Sequence, residues 1–295
     1  MSAELVVLGL GTMGGRAAAV AVEAGLSVVG YDPIPVARAM SEAQGVVTVS
    51  DAAEAVQQGQ IILLSVPRPE HVTALAEGAL QTAAPGSIVV DLSTIDPETA
   101  RGVARTLAEK GVTYLDAPVL GRPEKCGNWT LVVGGPTSQI GAVQPLLERT
   151  VAAAVVRVGD VGAGSVVKLV NNLMFGAINA ITAEALMLCR NNGVNPATFV
   201  ETVADSGAAT VSNLFKELAP RMVAGDDDPT FALELLAKDN RLAVELADRS
   251  NTVAPLAQAV DAVNKLALDL GLGARDSGAI MQAYSQMTPN AATPS

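Results

Sequence analysis

The run Leu5-Val6-Val7-Leu8-Gly9-Leu10-Gly11-Thr12-Met13-Gly14 decides the fold of this 295-residue chain. Four apolar residues form a strand-like run, the glycines after it match the pattern G-x-G-x-x-G, and an alanine-rich helical stretch follows over residues 16–24. In this strand–loop–helix order, the glycines allow a tight turn and let a pyrophosphate approach the free N–H groups of the helix N-terminus. The sequence therefore predicts a dinucleotide-binding loop at residues 9–14; the alternative interpretation is an ordinary glycine turn.

The rest of the chain has two successive patterns, which predict an alternating strand–helix half followed by a helical half. In the first half, short β-branched runs alternate with alanine-rich helical stretches, which is typical of a parallel sheet covered on both faces. The predicted strands are residues 5–8, 27–31, 61–66, 87–92, 112–115, 130–133 and 155–158. From Gly164 on, helical periodicity takes over, with predicted helices at residues 165–192, 196–205, 210–224, 230–250 and 253–271.

We therefore expect an α/β fold with an N-terminal Rossmann-type domain and an all-α C-terminal domain. The first, a doubly wound and mostly parallel sheet, is predicted over residues 1–162 and would bind the dinucleotide. The second is predicted over residues 163–288, with a disordered tail over residues 289–295. Asn195-Pro196 and Asp228-Pro229 are typical of helix starts in this second half.

Composition limits the partners and the location. The net charge of −11 argues against nucleic acid or an anionic membrane as a partner. Cys126 and Cys189 lack metal-type spacing, so we expect free thiols in a reducing compartment and no metal site. The first residues carry no basic segment of a signal peptide, and the apolar stretch 169–183 is interrupted by three asparagines and is too short to span a bilayer. A cytoplasmic protein is predicted.

Asp32 ends the second predicted strand. An acidic side chain at this place hydrogen-bonds the ribose on the adenine side of a dinucleotide and repels a 2′-phosphate. No basic residue follows before Arg38. The sequence therefore favours NAD over NADP as the cofactor; the alternative is that Asp32 only caps the next turn.

Lys168 is the only charged side chain between Asp160 and Glu184, on a predicted helix that is otherwise apolar, small or amide. A lone ammonium in such surroundings costs stability. Burial favours the neutral form of a lysine, which makes proton transfer near neutral pH possible. Asn172 lies one helical turn further on the same face. We predict that both belong to a reaction centre; the alternative for Lys168 is a lysine that reaches solvent from the helix start.

Five segments follow one another in a fixed order. They are the glycine loop 9–14, Asp91-Leu92-Ser93-Thr94-Ile95-Asp96-Pro97 with Arg101, Asp116-Ala117-Pro118-Val119 ahead of Gly134-Gly135, Gly164-x-x-x-Lys168-x-x-x-Asn172, and Lys238-Asp239. Together they resemble the β-hydroxyacid dehydrogenase family, which includes 3-hydroxyisobutyrate dehydrogenase and tartronate semialdehyde reductase. The resemblance covers nearly the whole chain.

The resemblance implies a role for each matching position. Lys168 matches the general acid/base of the family, and Asn172 matches an amide that helps to hold the substrate. The positions implied for the cofactor are Gly9, Leu10, Gly11, Thr12, Met13, Gly14, Asp32, Val66, Pro67, Thr94 and Lys238. The positions implied for the substrate are Ser93, Leu120, Gly121, Arg122, Asn172 and Lys238. For Lys238, the alternative is a solvated ion pair with Asp239 on a helix surface.

The chain departs from the family after Val119. The family usually has Ser-Gly-Gly there, whereas this sequence has Leu120-Gly121-Arg122-Pro123. Leu120 removes a hydroxyl donor, and Arg122 adds a fixed cation with a planar fork of donors. We predict that Arg122 binds an anionic group of the substrate, such as a second carboxylate, a sulfonate or a phosphonate; the alternative is a solvent-facing arginine stiffened by Pro123.

The predicted function is hydride transfer between NAD and a small 3-hydroxy acid, or reduction of the corresponding semialdehyde. The nicotinamide carries the hydride, and Lys168 moves the proton. The only histidine, His71, is expected at the surface. Two alternatives stay open: an imine reductase-like NAD(P)-dependent enzyme, which usually lacks this lysine, and a non-catalytic dinucleotide-binding module. By analogy with the family, the helical domain over residues 163–288 is expected to serve substrate binding and dimerisation, and the chain to form a homodimer or homotetramer.

Overall fold

The computed structural model describes residues 3–206, 210 and 212–287, without the side chain of Met287. The chain divides into two compact units, the first ending at Lys168 and the second beginning at Leu169. A long helix begins at Ala163, one residue after the domain boundary predicted at residue 162. The predicted tail, residues 289–295, lies outside the described residues.

The described part of the first unit contains one nine-stranded sheet. Its strands are β1 (Leu5–Leu8), β2 (Val28–Tyr31), β3 (Val47–Val49), β4 (Ile61–Leu64), β5 (Ile88–Asp91), β6 (Thr113–Asp116), β7 (Val119–Leu120), β8 (Trp129–Gly134) and β9 (Ala152–Gly159). The order β3-β2-β1-β4-β5-β6 is parallel throughout, which is the order of a doubly wound dinucleotide-binding sheet. Strand β8 runs antiparallel to β6 and β7, and β9 runs parallel to β8. The predicted mostly parallel sheet is confirmed.

Two hydrophobic cores lie against the two faces of this sheet. Successive side chains of a strand point to opposite faces. In β4, Leu63 accordingly packs into one core, and Ile62 and Leu64 pack into the other. The helices that accompany the sheet are α1 (Thr12–Glu23), α2 (Pro35–Glu42), α3 (Ala52–Val56), α4 (Pro69–Glu77), α5 (Pro97–Ala108) and α6 (Thr137–Arg149). Burial on both faces explains why the strands have continuous apolar sequences.

Strands β3 and β7 were not predicted from the sequence. They contain only three and two residues, too few for a recognisable alternation of apolar and polar side chains. Strand β3 lies at one end of the strand order, and β7 pairs with β8, which also pairs with β6 and β9. The sheet is thus wider than the sequence indicates, while its central parallel strands match the prediction.

The second unit is helical. Its helices are the continuation of α7 (Ala163–Asn191), then α8 (Pro196–Ser206), α9 (Asn213–Ala224), α10 (Leu233–Arg249), α11 (Pro255–Asp269) and α12 (Ile280–Met287). Helix α8 begins at Pro196 as predicted. Asp228-Pro229 does not begin a helix, and this prediction was wrong: the Asp228 carbonyl accepts a hydrogen bond from Arg221, and the Asp276 carboxylate accepts from the Thr230 N–H. These contacts hold the segment as a loop. Helix α12 was not predicted.

Helix α7 is longer than the apolar stretch on which the sequence argument about membranes rests. Among the described residues, it is the one helix long and apolar enough to cross a membrane by length and composition. The argument that this segment is too short therefore does not apply to the whole helix, which has 29 residues. In its most apolar window, 44% is buried inside the protein, and core helices of soluble proteins pass the same test.

Candidate active site

The glycine loop joins β1 to α1 in a conformation that only glycine fits. Gly9 has a φ of +93°, and a Cβ there would overlap the Ser65 carbonyl oxygen. A Cβ on Gly14 would overlap the Gly9 carbonyl oxygen. Gly11, in contrast, faces open space and stands before α1 without a side-chain cap. The first N–H groups of α1 are therefore accessible to an anionic ligand, so the loop fits the pyrophosphate of a dinucleotide.

Asp32 ties the glycine loop to the strand beside it. Its carboxylate accepts hydrogen bonds from the N–H groups of Leu10 and Ile34, each at 2.8 Å. The side chain thus caps the next turn, as one interpretation of the sequence had it. Each carboxylate oxygen has further acceptor capacity for a ribose hydroxyl. Arg38 donates to the Asp32 carbonyl oxygen at 2.6 Å, so the nearest basic side chain lies against the same turn.

The ends of β4 and β5 are joined by a short chain of hydrogen bonds. Ser93 Oγ accepts from the Val66 N–H at 2.9 Å, and the Ser93 N–H donates to Asp91 at 2.8 Å. The other Asp91 oxygen accepts from the Tyr114 hydroxyl at 2.6 Å. Burial, together with Asp91, raises the pKa of Tyr114 well above its ordinary value, so its proton stays in this bond. Of the predicted cleft residues, Val66 and Ser93 are therefore in direct contact, whereas Pro67 is exposed and Thr94 is half-buried.

Asp116, at the end of β6, contacts the start of α7. The residue is 1% exposed, and its carboxylate accepts from the N–H groups of Gly162 at 2.7 Å and Ser165 at 2.8 Å. Burial raises the pKa of Asp116 to about 6, although both hydrogen bonds act in the opposite direction. The sequence motif contains this residue, but its contact with residues far along the chain has no local sequence signal.

Lys168 lies on α7 within the first unit and is half-buried. Its Nζ donates to the carbonyl oxygen of Val119 at 2.7 Å. Val119 belongs to the same four-residue motif as Asp116. The ammonium is therefore held at a backbone carbonyl beside the loop that the resemblance assigns to the substrate.

Trp129 holds the loop that carries Arg122. Its indole N–H donates to the Arg122 carbonyl oxygen at 2.7 Å, and its side chain is fully buried. A Cβ on Gly121 would lie 2.6 Å from Trp129 Cδ1, so the loop backbone passes directly over the ring. Leu120 pairs with Thr130 between β7 and β8. Sequence reasoning missed this support, because only the presence of one tryptophan close by in the sequence points to it.

In the second unit, Asp239 joins two of the predicted site residues. One carboxylate oxygen accepts from Asn172 Nδ2 at 2.5 Å, and the other lies 3.0 Å from Lys238 Nζ. The Lys238 side chain is 10% exposed and that of Asp239 is 3% exposed. The pair is therefore buried, which contradicts the interpretation as a solvated surface pair. Asp239 appeared in the sequence motif without a role, and its contact with Asn172 was not foreseen.

The family is decided by two matches that cover almost the whole chain. A model of the NAD binding domain of 6-phosphogluconate dehydrogenase matches residues 4–159, and a model described as NAD-binding of NADP-dependent 3-hydroxyisobutyrate dehydrogenase matches residues 162–284. The chain belongs to the β-hydroxyacid dehydrogenase family. It is an NAD(P)-dependent hydroxyacid dehydrogenase, as the resemblance predicted.

Named relatives of this dehydrogenase agree. The 2-(hydroxymethyl)glutarate dehydrogenase of Eubacterium barkeri is 30% identical over 97% of this chain and 96% of its own length. The 3-hydroxyisobutyrate dehydrogenase of Pseudomonas aeruginosa is 34% identical over 86% of this chain and 88% of its own length. The crystal structure of 3-hydroxyisobutyrate dehydrogenase from Salmonella typhimurium superposes with a TM-score of 0.86, and its sequence is 30% identical to this one. The match covers 95% of this chain and 99% of the Salmonella chain.

An imine reductase from Streptomyces aurantiacus shares the fold alone. It is 22% identical with a TM-score of 0.65, and covers 97% of this chain and 100% of that one. This similarity of fold carries no information about the reaction of this dehydrogenase.

Proposed function

We propose that this dehydrogenase transfers a hydride between NAD and a small 3-hydroxy acid, or reduces the corresponding semialdehyde, with Lys168 as the general acid/base. The observation that carries this proposal is the Lys168 ammonium, which is held 2.7 Å from the Val119 carbonyl oxygen and is the only charged side chain between Asp160 and Glu184. Its site is next to the loop that differs from the family pattern. A lysine fixed at such a place can exchange a proton with a substrate oxygen.

The chain's own residues divide the remaining tasks. When bound, the nicotinamide supplies or accepts the hydride. In oxidation, neutral Lys168 takes the proton of the substrate hydroxyl while the hydride leaves the carbon; in reduction, the ammonium returns a proton to the carbonyl oxygen. The Val119 carbonyl orients the amine by accepting one of its hydrogens. Asn172 is proposed to hold the substrate, with Asp239 fixing the direction of its amide.

Activity measurements test this assignment directly. The purified protein is assayed for NAD reduction with a panel of small 3-hydroxy acids, and for NADH oxidation with the matching semialdehydes. We expect Lys168→Ala to lower turnover by about 10²–10⁴-fold, the usual contribution of a positioned acid/base, with little change in NADH binding. Lys110→Ala, a change of an exposed lysine in the same unit and outside the proposed site, is the matched control. Near wild-type turnover in Lys168→Ala would refute the mechanism. Activity with imines alone would favour the imine reductase alternative. Binding of NADH without turnover of any substrate would favour the non-catalytic dinucleotide-binding module.

NAD is the cofactor proposed over NADP. The support is the Asp32 carboxylate at the end of β2, held by two backbone N–H groups in a fixed direction. A 2′-phosphate near this fixed negative charge would be repelled. Replacing Asp32 by Ala is expected to weaken NAD binding. It should also lower the ratio of kcat/KM with NAD to kcat/KM with NADP. An unchanged ratio would argue against this role.

Arg122 is proposed to bind an anionic group of the substrate. The support is the departure Leu120-Gly121-Arg122 from the family pattern and the rigid backbone that Trp129 gives it. One named relative acts on 2-(hydroxymethyl)glutarate, a dicarboxylate, so a second carboxylate is one candidate group. With Arg122→Ala, kcat/KM should fall most for the doubly anionic acids of the panel. If Arg122→Ala leaves kcat/KM unchanged from the wild type for every accepted acid, the assignment is contradicted.

A homodimer or homotetramer is proposed from one face of α7. Four apolar side chains on this helix are exposed in the single chain: Val170, Met174, Ile181 and Leu188. Their spacing of four and then seven residues places them on one stripe. Such a stripe is typical of a helix that packs against another copy. Size-exclusion chromatography with light scattering tests the proposal, and a monomer would overturn it. The cytoplasmic location stays a prediction.

A further inference from the structure

The Asp116 carboxylate lies buried beneath the first turn of α7. Each of its oxygens accepts one backbone hydrogen bond, Oδ1 from Gly162 and Oδ2 from Ser165. These two N–H groups stand at the N-terminal end of α7, where the helix leaves such donors without intrahelical partners. A carboxylate with two acceptors therefore fixes both the position and the direction of the helix start.

Glycines on both sides allow the backbone to close on this carboxylate. A Cβ on Gly134 of β8 would overlap Asp116 Oδ1. A Cβ on Gly164 would lie 2.6 Å from the Asp116 carbonyl oxygen and would overlap that of Val132. At Gly164, the start of α7 therefore approaches the backbone carbonyl oxygens of β6 and β8 directly. This close approach leaves the helix start little freedom to shift.

Lys168 follows Ser165 by three residues, so it lies about one turn further along the helix. Its Nζ is bonded to Val119, and Val119 follows Asp116 by three residues. One short segment, residues 116–119, therefore holds α7 at two points: its first turn and its lysine. A change in the direction of the first turn would move the ammonium away from the carbonyl that orients it.

We infer that Asp116 is a positioning residue for Lys168: it fixes the first turn of α7 so that the ammonium stays at the Val119 carbonyl. This inference rests on the proposed acid/base role of Lys168. Asp116 itself is buried and exchanges no proton with the substrate. Its effect on the reaction is transmitted through the geometry of the helix start.

The test is Asp116→Asn, measured alone and together with Lys168→Ala. The amide has the shape of the carboxylate, but its NH₂ group faces one of the two backbone N–H donors, so one hydrogen bond is lost. We expect kcat to fall by about 10–100-fold, since small misplacements of a reacting group have effects of this size. The KM for NAD and the dissociation constant for NADH should stay within about twofold of the wild-type values, a much smaller change than the one expected in kcat.

The double variant separates positioning from general damage. If Asp116 acts through Lys168, adding Asp116→Asn to Lys168→Ala should lower the residual kcat by less than about twofold, because the effects of residues that act as a unit are not additive. An equal loss in both backgrounds would overturn the inference, as would an unchanged kcat in Asp116→Asn. Wild-type activity of Lys168→Ala would instead overturn the proposed function itself.

Asp51→Asn is the matched control. Asp51 is a carboxylate of the same unit that accepts from the N–H group of Glu54, but it caps α3, outside the proposed site. Its kcat should stay near that of the wild type. If Asp116→Asn fails to fold, Gly164→Ala tests the same helix start, because its Cβ would push the first turn of α7 away from the Asp116 and Val132 carbonyl oxygens, and it should reproduce the selective loss of kcat. A Gly164→Ala protein that folds with full kcat would overturn the inference.

Discussion

The ionisation of Asp116 should make the protein less stable as the pH rises from about 4 to about 6. Burial raises the pKa of this carboxyl group from 3.8 to about 6. At about 1.36 kcal/mol per pH unit, this difference corresponds to roughly 3 kcal/mol. The folded state binds the proton more strongly than the unfolded state does. The stabilising contribution of the protonated group is therefore complete below the unfolded pKa and is lost as the pH rises through the folded one.

Other carboxyl groups also titrate in this range, so the comparison must be with a variant that lacks only this titration. Asp116→Asn carries no charge at any pH in the range. It loses one hydrogen bond at every pH, at a cost of about 1–3 kcal/mol, which shifts its whole curve without changing the slope. The free energy of unfolding of the variant minus that of the wild type should therefore increase by roughly 2.5 kcal/mol between pH 4 and pH 7, somewhat less than the full difference because pH 4 lies just above the unfolded pKa.

The measurement is urea unfolding followed by circular dichroism at pH 4, 5, 6 and 7, at one protein concentration, because assembly of copies would make stability depend on concentration. A difference that grows toward neutral pH is the expected result. Parallel curves for the two proteins would show that Asp116 titrates at its ordinary pKa, and the reasoning from its burial would be refuted.

Two glycine substitutions test the packing of helices, and a tryptophan substitution tests the loop that carries Arg122. In helix α7, Gly176→Ala would bring a Cβ within 2.6 Å of Asn240 Nδ2, so we expect a loss of about 1–3 kcal/mol from overpacking. Gly141→Ala in α6, where a Cβ meets nothing within 4 Å, should instead stabilise by about 0.5–1 kcal/mol; a thermal melt in which both shift alike would contradict this account. Trp129→Phe removes the hydrogen bond to the Arg122 carbonyl, worth about 0.5–1.5 kcal/mol, so the KM for substrate should rise about 2–10-fold while the KM for NAD is unchanged, and steady-state kinetics on both substrates checks this.

The features that sequence predicts best are those with a local pattern. The glycine loop and the central parallel strands are recognisable because a few adjacent residues determine their conformation. Short edge strands such as β3 have no such pattern. The start of α10 was misplaced because Asp228-Pro229 has the local form of a helix start, but contacts with Arg221 and Asp276 hold the segment as a loop.

The contacts between site residues could not be predicted for a different reason. Asp116 reaches Ser165 across 49 residues, and Asn172 reaches Asp239 across 67. No periodicity connects positions so far apart, so the sequence indicates which residues belong to a motif without indicating what they touch. The motif named Asp116 and Asp239, and the fold gives them partners.

The hydrogen bond between Trp129 and the Arg122 carbonyl makes this protein its own optical probe. The chain contains a single tryptophan, so all indole emission comes from one buried ring whose N–H is engaged with one loop. A ligand that displaces the loop or lengthens this hydrogen bond would change the wavelength and intensity of the indole emission, without any attached dye. Fluorescence of the unmodified enzyme mixed with a substrate acid in the absence of cofactor can therefore show whether substrate binding changes the surroundings of the Arg122 loop.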